Sequence, residues 1–222
     1  TGLSALLPAE NIGEVQNQGF DFNVGYRGQK GQFRYSISAN GGYAINKILY
    51  WDEPPGAPEW QRSTGRPIGS VGPIFLYDGV FVDQSDIDNT TLDYTAITNE
   101  LRPGDMKFRD VDGNGIINPL DRVRLDRNDI PRFQGGVNLT AGWKNFDLAI
   151  LMQGATGAVV FVSAAESGNI GNYLLDFYEN RWTVDNPSSV HPRIANRNDQ
   201  YFSSGNDYWL RSADYIRLKN FE

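Results

Sequence analysis

The chain reads as an all-β protein built of antiparallel strands, and three observations carry that reading. Apolar and polar residues alternate with period two over several stretches of about ten residues, giving each stretch one apolar and one polar face. Glycine and aromatic residues are plentiful (24 Gly, 12 Phe, 11 Tyr and 5 Trp) while helix-favouring Ala/Leu/Glu/Lys runs are scarce. Rings and branched side chains suit a pleated surface, and glycine permits tight turns. The connections between the alternating stretches are by turns very short and very long.

The first strand is predicted over residues 19–28, with Phe20, Phe22, Val24 and Tyr26 on one face and Asp21, Asn23 and Gly25 on the other. A short connection from Gly28 to Gln32 leads to a second strand over 33–46. There Phe33, Tyr35, Ile37 and Ala39 alternate with Arg34, Ser36, Ser38 and Asn40, and the phase continues through Tyr43 and Ile45. Regularity then stops for a long segment, about 47–131, rich in Pro, Gly, Asp and Asn. A third strand follows over 133–143, with Val137, Leu139, Ala141 and Trp143 against Asn138, Thr140 and Gly142. Lys144-Asn145 is a tight turn into a fourth strand, about 146–155, where Leu148, Ile150 and Met152 share a face. A second long segment covers about 156–207, and a last strand is expected over 208–222.

Irregular segments longer than about 15 residues are uncommon in compact soluble domains, and two on alternate connections need a reason. A transmembrane barrel supplies one, with short turns on one side and long loops on the other. Strands of about ten residues match a tilted crossing of the hydrocarbon layer. Phe20, Tyr26, Phe33, Tyr43, Trp143 and Phe146 lie near strand ends, where an aromatic girdle would sit. A soluble β-sandwich alternates in the same way with its apolar face inward, so alternation alone leaves both open. The apolar stretch Phe146 to Ala165 is long enough for a membrane helix, but Asp147, Gln153, Gly154 and Gly157 favour a strand running into a loop.

Twenty Lys+Arg against 27 Asp+Glu give a net charge of −7. That balance concentrates no positive charge for displacing phosphate counterions, so no nucleic-acid partner is expected. Cysteine is absent, which excludes disulfides, thiolate metal sites and a cysteine nucleophile. Thr1-Gly2-Leu3-Ser4 lacks a charged leader with a following apolar run, so any export signal is expected upstream.

Several blocks, in order along nearly the whole chain, resemble the SusC/RagA type of TonB-dependent outer-membrane transporter. They are Glu10-Asn11-Ile12-Gly13-Glu14-Val15 with Asn17-Gln18-Gly19-Phe20-Asp21, and Gly65-Arg66-Pro67-Ile68-Gly69-Ser70 with Tyr77-Asp78-Gly79-Val80-Phe81. Arg102-Pro103-Gly104-Asp105, the run from Asp110 to Gly115, and Gly142-Trp143-Lys144-Asn145-Phe146-Asp147-Leu148 with Gln153-Gly154 follow. Arg181-Trp182 with Asp185-Asn186-Pro187, Tyr208-Trp209-Leu210 and the run Asp214 to Asn220 complete the set. Gly72-Pro73-Ile74 departs from the pattern, which has a more aromatic stretch there. The resemblance implies part of a 22-stranded transmembrane β-barrel with an N-terminal plug. It implies import of glycans or peptides across the outer membrane of a Gram-negative, Bacteroidetes-like cell, driven through the TonB complex and lidded by a SusD-type surface lipoprotein. These residues would supply late strands and two extracellular loops, embedded in outer-membrane lipid, with the plug and the TonB-coupling segment outside them.

The sharpest local motif runs from Asp110 to Asp121. Read as a twelve-residue calcium loop, Asp110, Asp112 and Asn114 hold positions 1, 3 and 5, and Gly115 makes the sharp turn. Ile116 offers its carbonyl, and Asp121 closes the loop in the manner of the dockerin variant. The competing reading is an Asp/Asn/Gly-rich turn held by side-chain-to-backbone hydrogen bonds. Trp51 and Trp60, which flank Pro54-Pro55, are candidates for stacking on a sugar ring, or for packing their own loop. His191 is the only histidine; with no cysteine and no nucleophile motif it builds neither a metal site nor a catalytic pair. No catalytic residue is assigned and no enzyme is expected. The reading held beside the importer is a secreted, calcium-stabilised β-module that binds carbohydrate or protein. A glycoside hydrolase domain has only composition behind it.

Overall fold

The computed structural model describes residues 13–162, 174–194 and 205–222. Strands β1 (Glu14–Lys30), β2 (Phe33–Tyr50), β5 (Phe133–Trp143), β6 (Phe146–Thr156) and β9 (Tyr215–Phe221) form one antiparallel sheet in the order β1-β2-β5-β6-β9. Two small two-stranded sheets lie in the long connections. They pair β3 (Tyr77–Val80) with β4 (Met106–Phe108), and β7 (Val159–Phe161) with β8 (Leu210–Ser212). The long connections also hold two short helices, α1 (Gln84–Asp88) and α2 (Leu175–Asn180). Among the described residues no helix is long and apolar enough to cross a membrane, and the stretch from Phe146 forms strand as far as Thr156.

Two tight turns join neighbours in the sheet at the same end. Gly31 takes a φ of 61° between β1 and β2, a left-handed conformation that glycine reaches without a side-chain clash. Between β5 and β6 the equivalent place falls to Lys144, at φ 54°. The β1–β2 hairpin is longer than the alternation suggests, starting at Glu14 where Gly19 was expected and ending at Tyr50 where Asn46 was. Pairing from Gln18↔Ile45 to Glu14↔Tyr50, with a bulge at Glu14/Val15, carries it on. Beside it, Gly65 donates to the Ile48 carbonyl and Ile48 to the Arg66 carbonyl (2.7 and 2.9 Å). The family block that begins at Glu10 lies partly outside the described residues, because Glu10, Asn11 and Ile12 precede them.

The expected last strand divides in three. Asp207–Trp209 is a 3-10 turn whose Tyr208 and Trp209 are buried, Leu210–Ser212 pairs with β7, and only Tyr215–Phe221 joins the large sheet. The aromatic side chains decide this: burying two rings in an apolar cluster outweighs continuing a regular ladder.

The cores lie in the long connections and not against the large sheet. One cluster holds Phe75, Phe81, Tyr94, Ile97, Phe108 and Ile117. A second holds Phe177, Tyr208 and Trp209, with Tyr77 and Met106 packed against it. The large sheet is a single layer: along β1 nearly every residue on both faces is exposed.

Candidate functional site

The register sorts the large sheet into two chemically opposite faces. Rows of facing residues run across the strands on the apolar side. Nearest the turns is Phe33-Trp143-Phe146, and farther in are Tyr26-Ile37-Leu139-Ile150-Phe221 and Val24-Ala39-Val137-Met152-Leu218. The last row of this face is Phe20-Tyr43-Phe133. Aromatic rows therefore bracket aliphatic ones. From Phe33 to Tyr43 is ten residues along β2, or roughly 33 Å of strand. At the tilt of about 40° usual for membrane barrels that is a band about 25 Å tall, the height of a barrel's lipid-facing belt.

This face has nothing packed on it among the described residues. Val24 is 65% exposed, Phe146 75% and Ile216 87%, whereas Phe75 and Ile117 in the loops are fully buried. More than a dozen large apolar side chains stand open in this way. Leaving each in water forgoes roughly 1.5–3 kcal/mol, a total that exceeds the roughly 5–15 kcal/mol net stability of an ordinary domain. Where a side chain is missing, a ring from the next strand covers the gap. A Cβ on Gly41 would lie 2.7 Å from the Phe22 ring, and Tyr35 folds over Gly28.

The opposite face is polar. Ser36 and Thr140 hydroxyls meet at 2.6 Å in a half-buried pair, while Arg34 pairs with Asp147 at 3.5 Å and Arg217 donates to Gln153 at 3.3 Å in the open. Exposed pairs of this kind stabilise little, so they mark a wetted face more than a fastening.

At the far end from the turns the two long connections interlock into one cap. Phe75 N–H donates to the Gly205 carbonyl and Tyr77 N–H to Asp207 Oδ1 (2.9 and 2.6 Å), which ties the first connection to the second. Trp182 Nε1 donates to the Val82 carbonyl at 2.9 Å. Arg193 Nε reaches Asp105 Oδ1 at 2.7 Å, with the Asp105 side chain almost wholly buried. Burial pushes the Tyr94 phenol up to about 12; the same cause, partly offset by Arg211, brings Tyr208 to about 12. Both therefore stay protonated hydrogen-bonding partners at neutral pH. Tyr94 Oη accepts from Phe108 N–H at 3.0 Å, and Tyr208 Oη shares a 2.8 Å bond with His191 Nδ1. His191 thus serves as a loop-packing residue, with Asp176 at 4.0 Å from its other nitrogen.

Of the expected metal ligands, Asp110, Asp112 and Asp121 bring carboxylate oxygens within 4.8 Å of one another. Gly113 (φ 74°) and Gly115 (φ 81°) let the backbone double back to achieve this. Oxygens held at about 2.3–2.6 Å around one calcium lie at most about 5 Å apart, so this carboxylate set fits such an ion. Asn114 Oδ1 instead accepts from Ile116 N–H at 2.7 Å, and the Ile116 carbonyl accepts from Asn118 Nδ2 at 3.1 Å. Both Asp121 oxygens accept backbone N–H bonds, from Val111 and Asn118. The side-chain-to-backbone network weighed as the competing reading is therefore present, and the carboxylate cluster sits within it. Ile117 anchors the loop's exit in the first core, and Asp93 pairs with Gly115 and Ile117.

Backbone donation, first from Gly115, holds the Asp110 carboxyl below its ordinary value. A depressed folded-state value means that its stabilisation is complete above about pH 4 and is lost as pH falls through the folded value. Protection of the Gly113 and Gly115 amides should therefore fall as pH is lowered below about 4. The Asp110→Asn variant should show a flatter response; equal acid sensitivity in both would locate the effect elsewhere.

Trp60 donates its indole N–H to the Leu120 carbonyl at 2.7 Å, tying its loop to the end of the acidic loop. Trp51 is exposed and lies beside Gly13 at the end of β2. The residues missed from the sequence are the cap's core, Phe75, Phe81, Tyr94, Phe108 and Ile117. Their signal is present in short apolar runs such as 74–77 and 80–82, but runs this brief between turn formers do not report which partners they bury against.

No family model matches this chain. It is similar to TonB-dependent receptor P3 of Formosa agariphila, 30% identical over 99% of the chain, of whose length the chain spans 22%. Its fold is similar to the solved RagAB peptide transporter, with a TM-score of 0.66 at 18% identity, covering the whole chain and 24% of that structure's. The RagAB peptide importer in its open-open state gives a TM-score of 0.61 at 19% identity, over 96% of this chain and 22% of that one. These matches are receptors and transporters, not enzymes.

Proposed function

The chain belongs to the TonB-dependent receptors, and from that premise we propose that it forms wall strands and extracellular loops of an outer-membrane nutrient importer of the SusC/RagA type. The observation that carries this is the open apolar face, a single-layer sheet with aliphatic rows between aromatic rows and a polar reverse. Lipid covers such a face on the outside of a closed barrel, and a polar lumen wets the other. The same observation disfavours the secreted β-module, whose sheet would bury those residues. In this reading the strands belong to a 22-stranded barrel, and the cap stands on the cell surface beside a SusD-type lipoprotein. Energy arrives from the TonB complex, and the cargo is a peptide or a glycan. The peptide is favoured because the two solved neighbours are named for peptide transport.

The test is fractionation of the source cells, followed by affinity capture of the receptor that contains this chain. Recovery in the outer membrane with a surface lipoprotein, and uptake of peptides lost on deletion of the receptor gene, supports the reading. A soluble 24.8 kDa species overturns it.

The acidic loop holds calcium in this reading, with Asp110, Asp112 and Asp121 as carboxylate ligands and Asn114 and the Ile116 carbonyl completing the set. The ion stiffens the cap and takes no part in chemistry. Calcium should raise the thermal midpoint of the purified receptor, and Asp110→Ala should weaken calcium binding at least tenfold. Unchanged calorimetric titration of the variant would leave the loop as a hydrogen-bonded turn.

A further inference from the structure

We propose that Lys30 and Lys144, at the turn end of the sheet, form a rim that binds the phosphate of anionic phospholipid; the inference rests on the membrane-wall reading above. Lys30 is in register with Phe33, which places it on the apolar side. Lys144 holds its ammonium 4.7 Å over the ring of Trp143, on that same side. Phe33 faces Trp143 across β2 and β5, so the two cations stand on adjoining hairpins beside one aromatic row.

Two independent features point to an anion. In a chain of net charge −7, the described residues on the apolar side of this end include no carboxylate. Asp147, the acid nearest in sequence to Lys144, lies on the polar face and pairs with Arg34. The second feature is the backbone: Lys144 occupies the left-handed region at φ 54°, where the sister turn uses Gly31 at φ 61°. A lysine stands at a position that glycine fills with less strain. At the lower edge of a lipid-facing band the available anion is a headgroup phosphate, and an ammonium with three donors is a suitable point-charge partner for it.

The experiment uses the full-length receptor in nanodiscs of phosphatidylcholine, with and without one-third phosphatidylglycerol. Phosphatidylglycerol should raise the wild-type Tm, and the rise should shrink by about half or more in Lys30→Gln/Lys144→Gly. Lys144→Gly alone should have a higher Tm than wild type in pure phosphatidylcholine, because strain is relieved, and a smaller response to phosphatidylglycerol. Lys47→Gln, beyond the other aromatic row, should respond as wild type does. An equal phosphatidylglycerol response in the double variant and the wild type overturns the rim, as does a response lost only in Lys47→Gln. A wild-type receptor that enters neither disc overturns the wall reading, and the rim with it.

Discussion

Leu139→Arg should prevent assembly of the receptor in the membrane, while Asn138→Arg, one residue away, should be close to neutral. Leu139 lies in a middle row of the apolar face, flanked by Ile37 and Ile150, midway between the aromatic rows of Phe133 and Trp143. Arginine at the bilayer midplane of a barrel costs about 2–4 kcal/mol, whereas a lumen-facing substitution meets water and tunes selectivity instead. Asn138 faces Ser38 on the polar side, where a guanidinium remains in water. Heat-modifiable mobility of the folded receptor, together with its abundance in the outer membrane, reads the difference. Equal tolerance of both substitutions would mean that the apolar face does not meet lipid. A soluble sandwich also predicts damage from Leu139→Arg, so the deciding companion is Val24→Leu, on a row that lies open. It should cost nothing in lipid, but a well-packed core would resist the added methylene.

Phe75→Ala should loosen both long connections together, although Phe75 belongs to only one of them. The side chain is fully buried and stacks on Phe108 at 4.8 Å between ring centres. Its backbone bonds to Gly205 and forms a bridge with Asn206 of the other connection. Truncating a buried phenylalanine costs about 3–5 kcal/mol, which is large for a cap of this size. Limited proteolysis of intact cells should then cut within both 51–132 and 174–194 at matched rates. Cleavage confined to the first connection would show that the two fold separately. Leu120→Ala, at an exposed position in the same connection, should leave the digestion pattern unchanged.

The sequence alone determined the faces of four of the large sheet's strands, β1, β2, β5 and β6. A side-chain period of two assigns every residue from Phe20 to Tyr26 and from Phe133 to Trp143 to a face. The short links Gly31-Gln32 and Lys144-Asn145 then force antiparallel neighbours. The ordered family blocks added what the strands could belong to. The turn of the acidic loop was legible as well, because Gly113 and Gly115 supply the positive-φ positions and the Asp110 carboxylate accepts from their N–H groups. The cap was decided by tertiary structure. Phe75, Phe81, Tyr94, Phe108, Ile117 and Tyr208 share no period, and the apolar runs that hold them are short and broken by turn formers. Phe75, Phe81, Tyr94, Phe108 and Ile117 close on one another within the first connection, and Tyr77 with Asp207 and Asp105 with Arg193 tie it to the second, which leads to Tyr208. For the same reason Tyr208 and Trp209, which read as the start of a strand, turn inward: their burial depends on Phe177 and Tyr77, and no local pattern reports that. Alternation records what a strand does with its own neighbours, whereas a core assembled from loops is specified by residues far apart in the chain.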